Sequence, residues 1–254
     1  MTTVLALPRP RHGAITLATA RRILVQLRHD HRTVGLLIGV PTLLMILLRY
    51  VFDAPGAFDR IGPMLLGIFP FVVMFIVTSI GTLRERTSGT LERLMTTPLG
   101  KLDLLLGYAL AFGVLALVQV AVVLTISMTW LGMNVPGPLW ALVLVAVLTA
   151  LLGMALGLFA SAFARTEFQA VQFMPALVLP QTLLCGLFVP RDQMSTALQW
   201  ISNVLPLSYV VEAMHQLTGN STPTATLYRD MIIIAVCALL ALVLGAATLR
   251  RRTD

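Results

Sequence analysis

The sequence predicts an all-α integral membrane fold with six transmembrane helices, and three observations carry that expectation. Of 254 residues, 57% are hydrophobic and only 11% charged, against about 25% charged in an ordinary soluble domain. The apolar residues fall in long runs spread over nearly the whole length, and a helix needs about 20 such residues to cross a bilayer. The 18 lysines and arginines concentrate in polar segments at one set of run ends, where topology signals belong. No stretch is left for a sizeable soluble domain, so any catalytic or nucleotide-binding module is expected on another chain.

The elements follow in order. Residues 1–12, with Pro8 and Pro10, read as a tail. From Gly13 to Arg32, Leu17, Ala20, Leu24 and Leu27 recur at three and four residues, with Arg21, Arg22, Arg28 and Arg32 off that stripe. That pattern predicts an amphipathic interfacial helix, leucines toward lipid and arginines toward headgroups. Residues 1–32 thus form a cytoplasmic tail and helix, and with Asp30 present and no cleavage site the first span is expected to stay uncleaved.

The transmembrane domain covers 33–249. Its expected spans are Thr33–Phe52, Ile61–Leu83, Leu104–Leu131, Leu139–Phe163, Phe168–Phe188 and Met231–Leu249. With a cytoplasmic N-terminus, fourteen Lys and Arg fall inside and four outside, Arg49, Arg60, Arg191 and Arg229. That asymmetry predicts an even number of crossings and two cytoplasmic termini, the basic tail 250–254 anchoring the last helix. Arg49 is expected to snorkel toward headgroups. The net charge of +7 is scattered over run ends rather than gathered on one face, which argues against nucleic-acid binding. Cys185 and Cys237 lie in apolar runs, where neither a disulfide nor a metal site is indicated.

Two polar segments interrupt the domain. In the first, 84–103, Thr90 suits a helix cap and Pro98 its end. Leu91, Leu94 and Met95 would make an apolar strip beside Glu92 and Arg93. Two readings stand: a docking helix, or a surface loop whose charges hold the flanking spans in place. Glu85 and Glu92 lack the clustered partners that acid–base or metal chemistry requires. The second segment, 189–230, contains Met194–Val204 and a helix from Pro206 through about Leu217. These pieces are too short to cross, but they can dip into the outer leaflet. Pro190 ends the preceding helix, and Trp200 and Tyr209 suit interfacial depth. Glu212 and His215 either line an exit or face water. As the least poor catalytic pair, they also keep a membrane-embedded enzyme open as an alternative.

Pro175 and Pro180 should bend or interrupt the fifth span, acting as a hinge or as a plain kink. Irregular backbone at that depth requires a covering of protein or a cavity. No carboxylate falls at a predicted midplane, which points to energy supplied from outside the membrane domain. Gln119, Gln172 and Gln181 are candidates for an amphipathic route.

Glu85-Arg86-Thr87-Ser88-Gly89-Thr90-Leu91-Glu92 followed by Pro98, and Asn203-Val204-Leu205-Pro206-Leu207-Ser208-Tyr209-Val210-Val211-Glu212-Ala213, resemble the membrane (permease) subunit of a type-2 ABC exporter. The resemblance covers nearly the whole chain. It implies that Glu85, Arg86, Gly89, Thr90, Leu91, Glu92, Leu94 and Pro98 form a coupling helix against a separate ATP-binding subunit. It also implies a second copy of the permease or a close paralogue, with ATP and Mg bound by the partner. The chain itself is expected to bind no cofactor and to be no enzyme, since it has no Gly-x-x-x-x-Gly-Lys-Ser/Thr loop. The short outer loops look like bacterial drug or antibiotic efflux members of the daunorubicin-exporter kind, in the cytoplasmic membrane. Export of a lipid-linked glycan or other envelope precursor is the alternative within transport. His215 stands where an arginine is common in similar proteins.

Overall fold

Asp30 divides the N-terminal region into two helices. Its carboxylate accepts hydrogen bonds from the Thr33 amide at 3.2 Å and the Thr33 hydroxyl at 2.6 Å, which caps one helix and stops the one before it. The computed structural model describes residues 12–52, 56–89 and 100–248. In it α1 (His12–His29) is therefore a separate rod from α2 (His31–Val51). Then follow α3 (Ala57–Thr87), α4 (Lys101–Thr129), α5 (Leu139–Ser161), α6 (Glu167–Leu184), α7 (Thr196–Val204), α8 (Pro206–Gly219) and α9 (Ala225–Thr248), with a 3-10 turn at Arg191–Gln193.

Among the described residues five helices are long and apolar enough to cross a membrane: α2, α3, α4 from Leu102, α5, and α9 as far as Gly245. The remaining expected span, Phe168–Phe188, corresponds to the 18-residue α6. Gln169, Gln172, Gln181 and two prolines dilute its apolar run, and it falls short of the other five. The helix continues through both Pro175 and Pro180, so of the expected bend or interruption the prolines make no interruption.

At the centre α3 crosses α5, the most extensive helix pairing among the described residues. Their backbones meet because α5 carries glycine at Gly153 and Gly157. A Cβ on Gly153 would lie 2.2 Å from the Phe71 carbonyl oxygen, and one on Gly157 would lie 2.4 Å from that of Phe75. Small residues four apart allow this close approach, which is how helices gain packing where lipid removes the hydrophobic driving force. α9 packs along α5, α4 lies beside α5 and α2, and α8 lies against α3 and α9. Gly67 of α3 receives Val210 and Met214 of α8, about 15 Å along α3 from its first residue.

The apolar stripe expected of α1 splits. Thr16, Thr19, Ala20 and Ile23 are buried against α4, whereas Leu17 is 67% exposed. Gly107 of α4 makes room for Thr19, whose Cγ2 would lie 2.6 Å from any Cβ there. α1 thus packs on protein through its small residues and leaves part of its leucine stripe outward.

The end of the bundle opposite α1, the distal end, is tied by its α4–α5 loop. Arg49 donates from Nε to the Leu131 carbonyl at 3.0 Å, a protein contact in place of the expected headgroup one. The Asn134 amide donates to Asp59 at 2.9 Å, and the Gly137 amide to the Leu217 carbonyl at 2.9 Å. α7 and α8 lie at this end where short helices were expected, with Trp200, Ile201 and Val204 exposed on α7.

Candidate functional site

At the other end, the basal end, α1 packs on α4 and reaches the last turn of α3, which in turn reaches α6 and α9. Three consecutive residues of the last turn of α3 each reach a different neighbour. Arg84 grips Glu167 at the start of α6, with Nε and Nη2 at 2.7 and 3.0 Å from its two oxygens. Glu85 turns inward, and Arg86 reaches toward Thr248 of α9 at 3.4 Å.

Glu85 is the junction. Its side chain is 11% exposed, and burying a carboxylate is costly without partners. Both oxygens have one. Arg22 of α1 donates to Oε1 at 3.1 Å, and the Tyr108 hydroxyl of α4 donates to Oε2. One carboxylate therefore joins three helices whose contributing residues are 63 and 23 positions away in sequence. Below it, Thr16 of α1 donates to Asp103 at 3.3 Å, and the other Asp103 oxygen accepts the Gly100 amide at 3.2 Å, capping α4.

The electrostatics are graded by exposure. The hydrogen bond from Arg84 holds the Glu167 carboxyl below its ordinary value, but this pair is more than half exposed on both sides, so it contributes little stability. Arg22–Glu85 is the better shielded of the two pairs. With each oxygen holding a partner from a different helix, Glu85 is placed as a structural joint.

Of the expected coupling residues, Glu85, Arg86 and Gly89 fall at this junction, Gly89 with a left-handed φ of 69°. Thr90, Leu91, Glu92, Leu94 and Pro98 lie outside the described residues. The expected distal residues behave separately. Pro190 precedes the 3-10 turn, and Pro206 opens α8. The Tyr209 hydroxyl donates to the Asn203 carbonyl at 2.7 Å, and the Arg191 guanidinium lies 5.7 Å from the centre of its ring. Glu212 accepts from Gln216 at 3.1 Å, whereas His215 is exposed. No bond joins Glu212 to His215 among the described residues, and no cluster of His, Cys, Asp or Glu there could hold a metal. Gln119 is fully buried, Gln181 nearly so and Gln172 exposed; the three do not share one surface.

Sequence reasoning missed Arg22 and Tyr108 as partners of Glu85, because nothing local marks a contact across 63 residues. It also missed Asp230 of α9, which is fully buried and bound through one oxygen by Arg229. A lone carboxylate at the edge of an apolar run was the available signal.

Comparison with known proteins adds a family. A model described as ABC-2 type transporter matches residues 14–218. The chain is 26% identical over 209 residues to the "Probable multidrug ABC transporter permease YbhS" of Escherichia coli strain K12, covering 81% of this chain and 55% of that protein. It is 28% identical over 172 residues to the "Linearmycin resistance permease protein LnrN" of Bacillus subtilis strain 168, covering 67% and 43%. To "ABC transporter G family member 20" of Dictyostelium discoideum it is 27% identical over 159 residues, covering 63% and 22%. The chain thus spans about half or less of the length of these relatives.

Proposed function

The chain belongs to the ABC-2 type transporter family, and from that premise we propose that it is the membrane subunit of an ATP-driven exporter with a hydrophobic or amphipathic cargo. The printed names of the relatives, multidrug and linearmycin resistance permeases, support that cargo class. A drug of the daunorubicin kind is the cargo the sequence resemblance favours.

The observation that carries the mechanism is the Glu85 junction. In sequence the segment 90–99 connects the α3 end that carries Arg84, Glu85 and Arg86 to α4, whose Tyr108 binds the same carboxylate. In this reading a separate ATP-binding subunit, loaded with ATP and Mg, pushes on that segment. The push reaches α1, α3 and α4 together through Glu85, and α6 and α9 through Arg84 and Arg86. Hydrogen bonds to a shielded charge make the Glu85 links stiffer than neutral ones, so α1, α3 and α4 move as a body. The chain supplies no hydrolytic chemistry of its own.

The same reading has six helices crossing a bacterial cytoplasmic membrane, the basal end and both termini inside, α1 at the interface and α7 and α8 dipping into the outer leaflet. α6 is the additional crossing helix. Its Gln172, Pro175 and Pro180 are exposed in the single chain, and such a surface at membrane depth calls for protein or water beside it. A second permease, a copy or a close paralogue, would supply the cover, with the two prolines as its hinge.

The test is to co-express the chain with an ATP-binding subunit, reconstitute the complex in lipid and follow ATP hydrolysis with amphipathic drugs and envelope-lipid precursors. Stimulation by drugs that is weakened by Glu85→Gln or Glu92→Gln, with assembly retained, is the expected result. Stimulation by precursors alone would replace the cargo class. Failure to bind any ATP-binding subunit would sink the proposal.

A further inference from the structure

The basal arginines are not equally provided for. Arg22 has Glu85 and Arg84 has Glu167, and with those carboxylates engaged Arg86 has none among the described residues. Arg86 is half-buried, and its Nε is shut away from solvent with no acceptor. Its side-chain hydrogen bond among the described residues, 3.4 Å to Thr248, is to a neutral hydroxyl that itself donates to the Gly245 carbonyl at 2.6 Å. A guanidinium keeps its charge at any physiological pH and presents a planar fork of donors suited to phosphate. The protein sets such a fork at the basal end with no anion beside it among the described residues.

Position identifies the kind of anion. The apolar span of α9 ends at Gly245, so Thr248 lies about 4.5 Å beyond it, at the depth of lipid headgroups. Arg86 likewise lies in the last turn of α3. On α9, the residues four, eight and twelve before Thr248 are Leu244, Leu240 and Val236, and they are 53%, 58% and 48% exposed. Each is a neighbour of the next along a row that winds slowly round the helix. An apolar track thus runs from the arginine fork into the membrane, and a free phosphate would have no use for it.

We propose that Arg86, seated beside Thr248, holds the phosphate of an anionic phospholipid in the leaflet at the basal end, with an acyl chain lying along Leu244, Leu240 and Val236 of α9. The phosphate completes the donor set of Arg86, and the chain covers the exposed stripe. This lipid is a bound partner of the permease and is independent of the transported cargo.

The experiment uses the purified full chain in detergent and reads melting temperature against added phosphatidylglycerol, phosphatidylcholine or inorganic phosphate. Phosphatidylglycerol should stabilise at the lowest concentration. Arg86→Gln should weaken its apparent affinity by about tenfold, the loss expected for one charged hydrogen-bonding partner. Arg86→Lys should restore part of it, and Arg84→Gln should leave it unchanged. Leu240→Asn with Leu244→Asn should weaken it while Arg86 is intact, an arm that stands even if Arg86→Gln fails to fold. Equal stabilisation by inorganic phosphate would overturn the lipid source. An unchanged phosphatidylglycerol response in Arg86→Gln would overturn the site.

Discussion

Single residues decide how the N-terminal helices are joined to the bundle. Removing Arg22 would strand a buried carboxylate, and the cost of such a strand outweighs the value of the pair itself. Because Arg22 is one-third exposed, water would relieve part of that cost, and about 1–3 kcal/mol remains. Arg22→Ala should lower the melting temperature of the purified chain, and adding Glu85→Gln should recover part of the loss, since the amide needs no countercharge. A double variant less stable than the sum of both single ones would contradict this account. Asp30 gives a pH test. Thr33, through its hydroxyl first and its amide second, holds the Asp30 carboxyl below its ordinary value. The unfolded value is about 3.9, so the charged cap contributes fully above it and its contribution disappears as pH falls through the lower folded value. Asp30→Ala should cost about 1 kcal/mol near neutrality. Asp30→Asn keeps an acceptor without a charge, so the advantage of the native chain over it should vanish on acidification below pH of about 4. Parallel melting curves for the two across that range would remove the charge from the explanation.

At the level of elements, the α3–α5 crossing makes the sharpest demand. Its two glycines face carbonyl oxygens at distances no Cβ tolerates, and the opposing atoms are backbone, which cannot rotate away. Gly157→Ala should force the helices apart and reduce the fraction of monodisperse protein surviving a heat step; Gly157→Leu should leave almost none. Gly39 and Gly81 have nothing within 4 Å of a Cβ position, so Gly39→Ala and Gly81→Ala should be neutral or slightly stabilising, as expected from helix propensity. Equal tolerance at Gly157 and Gly81 would mean that the crossing is looser than described. The same contrast separates α5 from α6. α5 is held by a backbone contact that fixes its place, whereas α6 exposes Phe168, Val171, Leu179 and Leu183 along its length and is tied at its start by the surface pair with Arg84.

For the whole molecule, the sequence revealed what hydropathy alone can carry. Leu139–Phe163 and Leu104–Leu131 lie within two residues of α5 and three of α4 at each end, because lipid demands uninterrupted apolar length. Boundaries moved where a side chain rather than hydropathy set them, as when Asp30 cut the expected Gly13–Arg32 helix at His29. Of the basal junction, Glu85 and Arg86 were legible as an organised polar turn, but the convergence of Arg22 and Tyr108 depends on how α1 packs through Gly107, a tertiary fact with no local periodicity. The Gly153–Gly157 spacing is a small-residue pair, but the α3 backbone it meets leaves no local signal among many apolar neighbours. Composition leaves α6 ambiguous for a physical reason: its glutamines are costly in lipid alone and acceptable beside a partner subunit. The crossing can be decided by labelling. With Cys185 and Cys237 replaced by serine, single cysteines at Arg165 and Asp192, which flank α6 and are not buried, would be exposed to a membrane-impermeant maleimide in right-side-out and inverted vesicles. If α6 crosses, the two positions label from opposite sides, with Arg165→Cys matching Ser88→Cys and Asp192→Cys matching Ser221→Cys. If both label from the side of Ser88, α6 lies at the basal surface, five helices cross, and the even-span topology with both termini on one face must be abandoned.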